Sequence, residues 1–203
     1  MTPVVADADV LFGATTRGLL IHLDFIGLIR LHGSQLILDE LSRALVDTGR
    51  KPNDQAARRH EQLLRAALPH ADVSVVAVQK QFQAVAAAVR SAKDIHVAAC
   101  AHALAAGAAY PHARIVSLLT NNVRDFHVRK LTDIGIAVIR PDGFLIDLWG
   151  RDAAGLAAAF AALRATLRSA PTPEQLLERL SADGQVRTAT VLRDASRHGA
   201  VVL

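Results

Sequence analysis

Four carboxylates stand where this chain could use them for chemistry: Asp7, Glu40, Asp94 and Asp125. The apolar run from Val4 stops at Asp7, and Asp9 follows two residues on. The run predicts a strand over residues 4–10, buried on both faces as in a parallel sheet, with Asp7 at the end of its apolar part. In open α/β sheets ligands bind at that end of the strands. A carboxylate there is costly unless it is paired or holds a metal. Glu40 falls on the flank of the apolar stripe Ile37, Leu38, Leu41, Ala44 and Leu45 of a helix expected over residues 35–46, while Asp39 points away. Asp94 opens a helix. Asp125, with Asn122, follows a second buried run, Ile115-Val116-Ser117-Leu118-Leu119. If the two strands are neighbours, their ends converge and the start of the Asp94 helix can sit beside them. Hard oxygen donors of this kind suit Mg²⁺ or Mn²⁺, which keep several waters. Such ions activate water and stabilise the charge developing on a phosphodiester.

Each residue also has an ordinary structural use. Asp7 or Asp9 can cap the next helix, Glu40 can be a surface charge, and Asp94 an N-cap. Asp125 can cap a short helix and Asn122 can sit in a turn. Only their joint placement speaks for a site.

The elements that must position them follow from periodicity and punctuation. Helices are expected over residues 19–31, 35–46 (capped by Ser34, closed by Gly49), 55–68, 79–90 and 94–106. Residues 72–78 read as a strand or an extended link. Further strands are expected over 114–120 and 137–139, with a short helix between them and a turn at Pro141-Asp142-Gly143. Strands alternating with helices predict a parallel α/β sheet with helices on both faces. After Trp149-Gly150 the character changes: helices over 152–168, from Thr172-Pro173-Glu174-Gln175 to Gly184, and over 185–197, with no strand signal. The expected domains are therefore 1–149 and an all-helical appendage over 150–203.

Composition narrows the classes. With 203 residues, 51% hydrophobic and 21% charged, the chain is globular rather than disordered. No apolar run reaches the roughly 18 residues of a membrane span. The acidic N-terminal run does not match a secretory leader, and the single Cys100 excludes an internal disulfide, so the cytoplasm is expected. Cys100, amid alanines, reads as core. The net charge of +4 is compatible with a polyanionic partner without establishing one. Nine histidines lack paired Cys/His spacing, so zinc is not expected, and His96 and His102 read as helix-face residues.

Four motifs in order resemble the PIN-domain nucleases. Asp7-Ala8-Asp9-Val10-Leu11 is similar to their opening Asp-x-Asn-Val-Leu. Leu38-Asp39-Glu40-Leu41-Ser42-Arg43-Ala44-Leu45 looks like their first acidic helix, Asp94-Ile95-His96-Val97-Ala98-Ala99-Cys100-Ala101 like their Asp-led central helix, and Thr120-Asn121-Asn122-Val123-Arg124-Asp125-Phe126 like their last motif. Residues 136–145 resemble the end of the branch found as toxins of toxin–antitoxin pairs, of the VapC type. The resemblance implies a three-layer α/β/α fold and a Mg²⁺- or Mn²⁺-dependent single-strand endoribonuclease in the bacterial cytoplasm. It further implies an antitoxin protein as partner, and a homodimer. Carried over, Asp7, Glu40, Asp94 and Asp125 are the catalytic and metal-binding quartet, supported by Asp9, Thr120 and Asn122. Asp9 departs from the usual Asn, and Asn122 from a frequent further Asp, which leaves less negative charge for a metal. Arg124, Arg129 and Lys130 are candidates for RNA phosphate.

Two rival readings use the same stretch. In a haloacid-dehalogenase-type phosphatase Asp7 would attack phosphorus and Asp9 protonate the leaving group. However, Val10-Leu11 replaces the Gly-Thr that usually follows, and no late Gly-Asp-x-x-x-x-Asp cluster is present. A PIN-like binding module with a degenerate site is the non-enzymatic alternative, disfavoured by the intact quartet.

Overall fold

The computed structural model describes residues 1–107, 109–110 and 115–203. It has a four-stranded, all-parallel sheet in an α/β/α arrangement, with further helices toward the C-terminus, as expected of a PIN-like fold. Strand β1 is Thr2–Ala6, shorter than the expected 4–10. It ends because Asp7 turns the chain. The Asp7 carbonyl accepts the N–H groups of Val10 and Leu11, both at 3.1 Å, and α1 (Ala8–Phe12) begins.

The helix expected over 19–31 is instead α2 (Ala14–Phe25) followed by strand β2 (Ile29–His32). Gly27, at φ 78°, makes the break in a conformation that a side chain would strain. Strand β3 is Val116–Leu119 and β4 is Ile136–Ile139. Arg114, placed by the sequence in the strand expected over 114–120, lies outside the described residues.

The strand order is β2-β1-β3-β4. The chain leaves β1 in one direction and β3 in the other, so the order reverses between these two strands. A parallel sheet opens a crevice at that point, beyond its C-terminal strand ends. Ala6 pairs with Leu119, so both strands end at one level.

The chain falls into two compact units, residues 1–12 with 29–139 and residues 13–28 with 140–203. This division differs from the expected boundary at 149/150. The first unit holds the sheet with α1, α3 (Gln35–Asp47), α4 (Asp54–Ala67), α5 (Val75–Gln79), α6 (Phe82–Val85), α7 (Ile95–Ala105) and α8 (Val128–Asp133). The ambiguous segment 72–78 becomes helix because the Ser74 hydroxyl accepts the Ala77 N–H and starts α5; only Asp72 makes an isolated bridge, to Gly33. The single helix expected over 79–90 is α6 followed by a 3₁₀ turn, Ala86–Ala88. Ser34 precedes α3, but its hydroxyl makes no capping bond there. Helix α7 buries Val97, Ala98, Ala99, Cys100, Ala101 and Leu104 and packs on β1 and β3. Its small residues permit that approach, and burial pushes the Cys100 thiol up to about 12.

The second unit is entirely helical: α2, α9 (Pro141–Arg151), α10 (Ala153–Thr166), α11 (Pro173–Ala182) and α12 (Val186–Arg197). Helix α2 packs on α10 and α11, so a helix lying between two strands in sequence belongs with the C-terminal ones. The expected turn at Pro141-Asp142-Gly143 is the first turn of α9, with Pro141 where its missing N–H does no harm. The Thr172–Gln175 capping box of α11 is present. Carboxylates knit this unit by satisfying the orphan N–H groups of helix starts. Asp183 accepts from the N–H groups of Thr15 and Thr16 at 2.8 and 2.9 Å. Asp142 accepts from the N–H groups of Arg187 and Thr188 and from the Thr188 hydroxyl. No described helix is long and apolar enough to cross a membrane.

Replacing Asp183 with Ala leaves two N–H groups of α2 without their cap. The expected loss is about 1–2 kcal/mol, read as a lowered melting temperature. A variant that melts with the wild type would show that this cap contributes nothing.

Candidate active site

Asp7 sits one residue beyond β1, 5% exposed, facing the end of β3. Its N–H donates to the Leu119 carbonyl at 2.9 Å. Its Oδ1 accepts the Ala8 N–H at 2.7 Å, and its Oδ2 accepts the Thr120 hydroxyl at 2.9 Å. Thr120 is fully buried, and its oxygen in turn accepts the Asn122 N–H at 3.1 Å. Asp9, in the first turn of α1, accepts the Asn121 N–H on Oδ2 at 3.1 Å. The turn after β3 is therefore tied to both acids that follow β1. Asn122 takes part here through its backbone.

The other acids approach from separate elements. On α3, Glu40 is half-buried and Asp39 exposed, as the helical phase predicts. Asp94 precedes α7 in the N-cap position, but its side chain makes no capping bond, so the ordinary structural use of this residue is not realised. Asp125 lies in the 3₁₀ turn Val123–Asp125 after β3. Their charges reach one another. Burial, first, and then Glu40 and Asp94 push Asp7 up to about 6 against the pull of its two hydrogen bonds. Burial and the neighbouring Asp7 push Asp9 up to about 7. Burial and Asp125 raise Asp94. The sequence-derived quartet thus forms one chain of mutually repelling groups around Asp7, with Asp9 as a fifth member.

A carboxylic acid that keeps its proton near neutral pH offers one donor and one acceptor, as an amide does. With its raised pKa, Asp9 carries a proton part of the time near neutral pH and then offers one donor and one acceptor. The sequence reads His96 as a helix-face residue only, and its contact with Glu40 was not foreseen. Its Nε2 lies 3.3 Å from Glu40 Oε2, and its Nδ1 2.7 Å from the Lys93 carbonyl. Its position in the first turn of the Asp94 helix was the one available signal. His102, by contrast, contacts Gln81 on a helix face, as read. Arg124 and Arg129 are exposed beside the Asp125 turn, while the Lys130 ammonium donates to the Ala87 carbonyl.

The donor set fits a divalent cation in its chemistry. Asp9 Oδ1 is buried with no hydrogen-bond partner. A cation would also relieve the repulsion that raises Asp7, Asp9 and Asp94. Among the described residues no three acidic, histidine or cysteine side chains close on one point, so there is no finished cage. Mg²⁺ needs none, because it takes one or two carboxylates and retains water.

The raised Asp7 carboxyl sets the sign of a pH dependence. The folded state binds this proton more tightly than the unfolded chain, so the metal-free fold is favoured at low pH. It loses that advantage as pH rises from the usual carboxylate range through about 6. The Asp7→Asn variant, unfolded in chelator, is expected to be more stable than wild type by on the order of 1–3 kcal/mol at pH 8 and by little at pH 4. An equal difference at both pH values would contradict the electrostatic origin.

Comparison with known proteins adds one relation outside these motifs. No curated protein matches the chain, and no solved structure does. Residues 141–194 match the model of the VapC50 C-terminal domain, so α9, α10, α11 and most of α12 are similar to a domain described for a VapC-type protein.

Proposed function

We propose that this protein is a Mg²⁺- or Mn²⁺-dependent endoribonuclease of the toxin-like PIN kind, acting in a toxin–antitoxin pair. One observation carries the reading. Asp7 is buried at the reversal point of a parallel sheet, held by Thr120, with the charges of Glu40 and Asp94 bearing on it. The match of residues 141–194 to the VapC50 C-terminal domain supports the toxin-like part.

In this reading one or two of Asp7, Glu40, Asp94 and Asp125 would ligate the ion directly and the others would act on it through its waters. When bound, the ion supplies a polarised water and neutralises charge developing on the phosphodiester. The chain's own residues do the rest. Thr120 fixes the Asp7 carboxylate through its hydroxyl and is itself fixed by the Asn122 N–H. Asp9 ties the turn after β3 to the start of α1 by accepting the Asn121 N–H. Arg124 and Arg129 are free to meet phosphates of single-stranded RNA. A cognate antitoxin and a second copy of the chain are the protein partners that the resemblance implies.

The test is metal-dependent cleavage of single-stranded RNA. Asp7→Asn and Asp94→Asn are each expected to reduce it at least about 100-fold, corresponding to roughly 2.7 kcal/mol of transition-state stabilisation, with circular dichroism unchanged. Full activity in both variants would overturn the assignment.

A further inference from the structure

We infer that residues 86–90 form a clasp: paired with residues 125–127, they hold Asp94 and Asp125 beside one another, so that this side of the candidate cation site is shaped by the backbone before any ion arrives. The inference rests on the metal-dependent reading above. It starts from a conflict between local preference and structure. Residues 79–90 are rich in alanine and would continue as one helix on propensity alone. Instead α6 tightens into the 3₁₀ turn Ala86–Ala88, and the chain is extended at Val89, with φ −118° and ψ 134°. Where local preference is overruled, a distant contact decides, and such places are often functional.

The distant contact is an antiparallel bridge between Val89 and Phe126. Phe126 is equally extended, with φ −117° and ψ 142°, and it is buried. The Arg90 N–H donates to the carbonyl of Asp125 itself at 2.8 Å, and the His127 N–H donates to the Ala88 carbonyl at 2.8 Å. The Lys130 ammonium donates to the next carbonyl back, that of Ala87, at 3.0 Å. Carbonyls that a continuing helix would have used are thus satisfied from the segment after β3. From Arg90 a tight turn leads to Asp94, with only Ser91, Ala92 and Lys93 between, and the Asp94 N–H donates to the Ser91 carbonyl at 3.1 Å. One carboxylate therefore belongs to the bridge and the other follows directly from it. Their charges repel. Unpaired loops would let the two acids part, whereas backbone hydrogen bonds oppose the repulsion without engaging either carboxylate. Groups that orient metal ligands typically change metal affinity by about 10–100-fold when removed.

His127→Pro removes one bridging donor and little else. The backbone of His127, at φ −82°, lies close to that of proline, and the extended Phe126 accepts a following proline. His127→Ala keeps the N–H and is the control for the lost ring. The test reads Mn²⁺ binding to the full chain by the loss of the free-ion electron paramagnetic resonance signal, amide hydrogen exchange without metal, and melting temperature as the folding control. In the metal-free wild type the Arg90 and His127 N–H groups are expected to be protected from exchange. His127→Pro is expected to release the Arg90 N–H and to weaken Mn²⁺ binding about tenfold or more. Lys130→Met is expected to weaken it about fivefold, the fold-change of one hydrogen bond, and His127→Ala to bind as the wild type does. A merely structural bridge would lower the melting temperature and leave the affinity of the folded protein unchanged. Wild-type affinity in His127→Pro and Lys130→Met, an equal loss in His127→Ala, or free exchange of both N–H groups in the metal-free wild type would each overturn the inference alone. If His127→Pro does not fold, Lys130→Met decides: weakened binding supports the clasp and wild-type binding overturns it. If the wild type binds no Mn²⁺, the metal reading fails and the role of the clasp with it.

Discussion

A buried carboxylate beside others of its own sign governs the sheet-bearing unit. Asp7 lies at the level where β1 and β3 end, and burial there penalises its charged form. Two hydrogen bonds, from the Ala8 N–H and the Thr120 hydroxyl, only partly offset that penalty. Glu40 and Asp94 increase it. Moderate desolvation with like charges nearby is the arrangement by which sites for cations and proton transfer are built.

The same residue type is used in the opposite way in the helical unit. There Asp142 and Asp183 each accept N–H groups from the start of another helix, and Asp152 caps its own helix through Gly155. Around β1 the acids have other acids close by and few such partners: Asp7 accepts the Ala8 N–H and the Thr120 hydroxyl, and Asp9 the Asn121 N–H. Asp94 stands at a helix start without capping it, and Asp9 keeps a buried oxygen with none. The contrast separates carboxylates that join helices from carboxylates gathered beside one another at the end of β1.

Much of this site was legible because it rests on local rules. An apolar run ending in Asp7, an acidic helix start at Asp94 and the turn carrying Asp125 follow from strand and helix punctuation, and the phase of α3 distinguishes Glu40 from Asp39. Features that depend on distant contacts were not legible. Ile29-Arg30-Leu31-His32 continues an apolar pattern, so β2 was merged with the preceding helix, and only Gly27 marked the break. The partition of α2 with the C-terminal helices is decided by α10 and α11, which no local pattern reveals. His96 meets Glu40 across two helices far apart in sequence, and a histidine in an apolar helix resembles any other until its neighbour is known.

The central claim is that the acids gathered around Asp7 receive a divalent cation. A crystal soaked in Mn²⁺, with data collected for manganese anomalous scattering, tests it most directly. The expected result is an anomalous peak within bonding distance of the Asp7 carboxylate and facing Glu40 and Asp94. An ordered site without such a peak at saturating Mn²⁺, or with manganese bound only elsewhere, would contradict it.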